Sequence, residues 1–180
     1  MKLKKRRSFI AMILLLLFVI VLYYQKNFKT LEKAIKGSNI SIDEIYYSTA
    51  KDGNAIIIYR YSDFLSAALI EKNLFGYRWC CGSGSEDFNQ NDSILTKSFT
   101  NLLPRGSVSK EDYVSIAMGV INDDGIEKLL VKYKDQASAE ATIMETTNGR
   151  IWFSFSETPI NYDPDLIRVY KDGTEVSVWF

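Results

Sequence analysis

The chain has 180 residues, room for one domain and a short extra element, and its 47% hydrophobic and 13% aromatic content excludes wholesale disorder. The formal net charge is zero, yet nine basic side chains against one acid, Glu32, lie up to Lys36, and the remainder holds 13 basic and 21 acidic groups, a formal −8. No basic run follows Lys36, which argues against a nucleic-acid partner, and the absence of histidine removes Ser-His-Asp and Cys-His nucleophile systems and the usual zinc sites.

The first element is apolar. Ser8 to Gln25 carries no charge and centres on the run Ile13 to Leu22; as a helix it would reach ~27 Å, close to the ~30 Å of a bilayer's hydrocarbon core. Phe9, Leu15 and Phe18 lie within this expected transmembrane segment, and Tyr23 and Tyr24 close it at interfacial depth. Lys2, Lys4, Lys5, Arg6 and Arg7 precede it, so the positive-inside rule predicts a single pass in the plasma membrane with a cytoplasmic N-terminus and an extracytoplasmic C-terminal domain. A cleaved secretory signal is the competing reading, but Val21-Leu22-Tyr23-Tyr24-Gln25-Lys26 offers no small-x-small site. Arg6-Arg7 lacks the rest of a twin-arginine signal, and no cysteine follows the run to take a lipid.

Residues 1–25 therefore read as basic stub and signal anchor, 26–39 as an amphipathic spacer helix, and 40–180 as the β-rich exposed domain. In the spacer, Phe28, Leu31 and Ile35 fall at helical spacing and Gly37 is placed to end the helix. Beyond Ile40 the period is that of strands. Asp52-Gly53, Asp124-Gly125, Asn148-Gly149 and Asp172-Gly173 each supply the pair that tight hairpins favour. The expected pairs are 42–48 with 55–61, 65–71 with 77–81, and 113–121 with 128–134; residues 62–74 fit a helix as well. Alternation groups Val114, Ile116, Met118 and Val120 on one face, then Leu129, Val131 and Tyr133, then Ile151, Phe153 and Phe155, then Val176, Val178 and Phe180. The expected fold is mainly β, an antiparallel sandwich or bent sheet built from hairpins below one transmembrane helix, with α+β as the alternative.

Few residues suggest chemistry. Ser107-Val108-Ser109-Lys110 matches the Ser-x-x-Lys pattern of penicillin-recognising enzymes, without their Ser-Asp-Asn or Lys-Thr-Gly elements. Cys80 and Cys81 are possible reactive thiols; on a regular strand Cys81 joins Tyr77 and Trp79 on one face and Cys80 joins Arg78 on the other, giving one buried and one exposed thiol, the latter open to an intermolecular disulfide. Asn161, Asp163 and Asp165 alternate like a calcium loop but have Leu166 where the turn wants Gly, so these acids, like Glu86-Asp87 and Asp123-Asp124, read as solvated turns. Gly82-Ser83-Gly84-Ser85 lacks the Lys of a phosphate loop and reads as a flexible connection. No catalytic residue, metal ligand or cofactor is assigned.

The order Glu32-Lys33-Ala34-Ile35-Lys36, Asp52-Gly53-Asn54-Ala55-Ile56-Ile57, Phe75-Gly76-Tyr77-Arg78-Trp79, Gly119-Val120-Ile121 and Ile151-Trp152-Phe153 resembles small uncharacterised membrane-anchored cell-surface proteins of Gram-positive bacteria. The resemblance implies an N-terminal anchor or lipoprotein signal before a compact β-rich domain, and supplies no catalytic residue; this chain departs from it at Cys80 and Cys81. The functional expectation is a non-catalytic binding or interaction module of the cell envelope, with an envelope protein or small ligand as partner. The alternative is an envelope enzyme using carboxylates or the Ser107/Lys110 dyad.

Overall fold

The computed structural model of the chain describes residues 12–21, 27–90, 92–107, 109, 112–134 and 136–178. Helix α1 covers residues 12–21, and its side chains are exposed. It holds Leu15 and Phe18 of the expected span, whereas Phe9 and Tyr24 lie outside the described residues. Among the described residues no helix is long and apolar enough to cross a membrane.

Helix α2 (Leu31–Lys36) is capped by Thr30, whose hydroxyl accepts the Lys33 N–H, and ends at Gly37. The chain then runs through β1 (Glu44–Lys51), β2 (Asn54–Tyr61), β3 (Phe64–Asn73), β4 (Gly76–Asp87), β5 (Ser98–Leu102), β6 (Val114–Ile121), β7 (Ile126–Lys132), β8 (Ala139–Glu140), β9 (Thr142–Thr146), β10 (Gly149–Ser156), β11 (Asp165–Tyr170) and β12 (Glu175–Val178). These form three antiparallel four-stranded sheets: A (β1-β2-β3-β4), B (β5-β6-β10-β9) and C (β12-β11-β7-β8). The protein is mainly β.

Sheet A is a meander. Asp52 and Gly53 take φ of 51° and 81°, the two left-handed residues that a hairpin's twist requires. Both expected pairs in this half form, and residues 62–74 contribute strand β3, not a helix. The Gly82–Ser85 stretch, expected to be a flexible connection, lies inside β4, where it continues the pairing with β3.

The expected pairing of 113–121 with 128–134 does not occur. Both edges of β6 are occupied, by β5 and β10, so β7 starts a new sheet and pairs with β11 and β8. Asp123 Oδ1 accepts the Gly125 N–H at 2.8 Å in the turn that carries the chain between layers. The Arg150 guanidinium donates to the carbonyls of Asp123 (3.1 Å) and Ile126 (2.9 Å), on either side of that turn. Asn148-Gly149 and Asp172-Gly173 do stand at hairpins, β9–β10 and β11–β12.

The sheets stack. Ile56, Ile58, Leu65, Ala67 and Leu69 of sheet A pack on Leu102, Val114, Ile116, Met118, Ile151 and Phe153 of sheet B. The other face of sheet B, through Ala117 and Trp152, packs on Ile126, Leu129, Val131 and Leu166 of sheet C. The outer face of sheet A, with Ile57, Tyr59, Ala68 and Ile70, is covered by Ala34 of α2 together with Phe28, Leu31 and Ile35. Phe28 also bridges Tyr77 of β4 through paired backbone hydrogen bonds of 2.7 Å. The segment set apart in the sequence as a spacer is thus, in its described part, the lid of sheet A. Of the expected faces, Leu129, Val131 and Tyr133 share one cluster, whereas Phe155 is partly exposed and Phe180 lies outside the described residues.

Candidate functional site

Strand β4 carries two irregularities, and the first decides the thiols. Leu69 pairs with Cys81 but the next residue, Ile70, pairs with Trp79, so Cys80 is an extra residue bulged out of the ladder. A bulge resets the alternation of side chains. Trp79 stays on the outer face beneath α2, while Cys80 and Cys81 both pack toward the core between sheets A and B. The expectation that the two thiols face opposite sides is therefore corrected. Cys80 is buried, Cys81 is half-buried, and both are free thiols.

Their surroundings are polar for a core edge. Both sulfurs approach the Leu103 carbonyl, Cys80 Sγ at 3.3 Å and Cys81 Sγ at 3.8 Å. Glu71, on the same face of β3 as Leu69, is 7% exposed. It accepts from Arg78 at 2.6 Å and from the Arg105 backbone N–H, and the Arg105 guanidinium donates to the Cys80 carbonyl at 3.4 Å. Burial pushes the Glu71 carboxyl up, but the Arg78 and Arg105 hydrogen bonds outweigh it and hold it below the usual carboxylate range. Hydrogen bonding to Cys81, followed by burial, pushes the Cys80 thiol up. Cys81 is lowered to about 7, first by the hydrogen bond from Cys80, against the opposing effect of burial, with help from the Leu103 backbone and Arg105.

A second feature lies at the open end of the A/B sandwich. A cleft of about 310 Å³ is walled by Tyr47 and Ile56 from sheet A and Val114 and Phe155 from sheet B, with Lys51 and Glu157 also lining it. Tyr47 and Phe153 rings meet at 4.6 Å between centroids, and Phe155 lies 6.3 Å from Tyr47. Ser115 also borders the cleft, but it is 1% exposed, and its hydroxyl, which has no hydrogen-bond partner among the described residues, lies on the same side of β6 as Ala117, away from sheet A. The alternating pattern identifies Phe155 as apolar, and only the stacking of the sheets leaves it facing an opening.

A third, more polar cavity of about 540 Å³ is lined by Glu86, Asp87, Lys97 and Asp163. Burial pushes Glu86 up, with a Thr96 hydrogen bond opposing it. Lys97 Nζ lies 3.5 Å from Asp163 and donates to the Pro164 carbonyl at 3.3 Å. Glu86-Asp87 and Asp163, far apart in sequence, thus line one cavity with Lys97, which pairs with Asp163. Asn161 lies elsewhere, beside Tyr162 and Pro159 in a separate pocket, and Asp165 opens β11. Ser107 sits after a turn closed on the Pro104 carbonyl, and Lys110, the other half of the dyad, lies outside the described residues. Among the described residues no group of three or more His, Cys, Asp or Glu side chains is arranged to hold a metal ion.

Comparisons with family models, curated proteins and solved structures return no match.

Proposed function

We propose that this protein is a membrane-anchored, extracytoplasmic binding module of the cell envelope that takes a small apolar ligand, or an apolar group of an envelope partner, in the cleft between sheets A and B. The cleft carries the reading. Its volume, about 310 Å³, falls at the lower end of the roughly 300–1,000 Å³ usual for small-molecule sites. It has the expected character of such sites too: aromatic and aliphatic walls from Tyr47, Ile56, Val114 and Phe155, with Lys51 and Glu157 as the charged groups that line it. The anchor rests on the uncharged stretch Ser8 to Gln25 behind five basic residues, and on the exposed apolar side chains of α1.

The test is native mass spectrometry of the full chain purified in mild detergent. A small apolar molecule carried by the natural protein and lost from Phe155→Asp, with unfolding unchanged, is the expected result. An empty natural protein, or a ligand that persists in Phe155→Asp, would sink the reading. Protease treatment of intact cells should remove the β domain, and its protection would overturn the placement.

The polar cavity favours a second reading, an envelope hydrolase with Glu86 as the acid, because burial raises that carboxyl above the usual carboxylate range. Replacement Glu86→Gln would then abolish a hydrolytic activity of intact cells that Phe155→Asp leaves unchanged.

A further inference from the structure

We propose that Cys80 and Cys81 form a thiol modification site, in which Cys81 is the nucleophile that takes up a small disulfide and Cys80 is the neighbouring thiol that holds it as a thiolate. The β4 bulge is the origin of the site. Without the extra residue, Cys81 would lie with Trp79 under α2, one layer away from Cys80 and out of hydrogen-bond reach. With it, both sulfurs converge on Leu103, where the chain leaves β5 and crosses the edge of sheet A.

The two thiols divide the work as in other reactive dithiols, one more accessible and more acidic, its neighbour buried and held protonated. Cys81 is the half-buried member and Cys80 the buried one. Three charged groups face the pair: Glu71 from β3, Arg78 from β4 and Arg105 from the segment after β5. Glu71 opposes ionisation of Cys81, but it is already engaged by Arg78 and by the Arg105 backbone, so the Arg105 guanidinium is left to favour the thiolate. The Cys80 thiol donates to the Leu103 carbonyl at 3.3 Å while Cys81 is protonated; swung onto the neighbouring sulfur once Cys81 ionises, its proton supplies the largest share of that preference.

The step is a thiol–disulfide exchange. The Cys81 thiolate attacks one sulfur of a disulfide R–S–S–R, a Cys81 S–S bond forms as the original S–S bond breaks, and the departing R–S⁻ takes a proton from water. Cys81 is oxidised to the mixed disulfide and one R–S is reduced to the thiol, so no further oxidant is needed. The reaction stops there. A disulfide spans Cα atoms usually ~4.4–6.8 Å apart, whereas the Cα atoms of successive residues stand only ~3.8 Å apart, so closure to a Cys80–Cys81 ring is strained and the mixed disulfide is reversed by added thiol.

The experiment treats the folded full chain in detergent with bis(2-hydroxyethyl) disulfide and follows adducts by intact mass and peptide mapping. One adduct is expected, on Cys81, with a rate that rises with pH around a midpoint of about 7 and full reversal by dithiothreitol. Cys81→Ser removes the adduct. Cys80→Ala raises the midpoint and slows the reaction near neutral pH by about fivefold, the loss of thiolate being partly offset by its greater nucleophilicity. Cys80→Ser, which keeps a hydroxyl donor and guards against a fold defect, restores at least half of the rate. An adduct on Cys80, no adduct on the folded chain, a ring disulfide as the product, or a midpoint that Cys80→Ala leaves in place would each overturn the proposal.

Discussion

Glu71 shows how much one side chain can hold in place. Its carboxylate ties β3 to Arg78 of β4 and to the backbone of Arg105, so three segments meet on a group that is 7% exposed. Its ionised form is favoured in the folded state, with the folded pKa below the unfolded one. The stability it contributes is therefore fully present above the ordinary carboxylate range and is lost as pH falls through the folded value. Urea titrations from about pH 7 down to about pH 3 should show Glu71→Gln less stable at neutral pH by about 1.5–3 kcal/mol, with the difference shrinking toward acid. A constant difference across that range would show the carboxylate to be incidental. None of this is legible at position 71, where the sequence shows only an acid at the end of an apolar run. The partner at Arg78 is set by register and the one at Arg105 by a later crossover. The thiols teach the same lesson: one strand's sequence reveals alternation, but a bulge is a mismatch of length between two strands.

Among elements, the turns divide by the strands they lead into. Asp52-Gly53 is readable as a hairpin because its two flanking strands are free to pair with each other. Asp124-Gly125 has the same chemistry, yet β6 already has a neighbour on each side, so the turn hands the chain to another layer. Arg150, from the neighbouring strand β10, takes the carbonyls on both sides of that crossover. Arg150→Met keeps much of the aliphatic stem and removes both donors. It should cost about 2–3 kcal/mol in denaturant unfolding, and amide exchange should accelerate in β7 before it does in β2 and β3. Equal acceleration throughout would mean that the guanidinium is not specific to the crossover.

At the scale of the molecule, sheets A and B are each covered on both faces, which explains the unbroken apolar run in β2 and the wholly buried β6. Alternation in β6 is readable on the Val114, Ile116 and Met118 side. Its second buried face consists of Ser115, Ala117 and Gly119, small residues that carry no hydrophobic signal but let Trp152 and the Thr96 carbonyl approach closely. The cover on sheet A is the least expected part, since the α2 segment reads as a spacer. Ala34, fully buried there, is the point of contact, and Ala34→Asp places an unpaired charge against Ile57 and Ile70. It should destabilise the whole β body by about 3 kcal/mol or more, seen as a lower thermal midpoint for sheets that it does not touch. A midpoint unchanged from the natural protein would show that α2 undocks without consequence.

The order of strands also sets a timetable. Sheet A uses one uninterrupted stretch of chain, Glu44–Asp87, in three consecutive hairpins, whereas sheets B and C take alternate pairs: β5 and β6, then β7 and β8, then β9 and β10, then β11 and β12. Local pairings of the first kind close quickly, and interleaved ones wait for distant partners. As the chain emerges N-terminus first, sheet A is free to close once Asp87 is out. Its face bearing Ile56, Ile58, Leu65 and Leu69 then waits uncovered until Ser156 has emerged and sheet B is complete, so the interval between those two residues is when this protein most needs shielding from its neighbours.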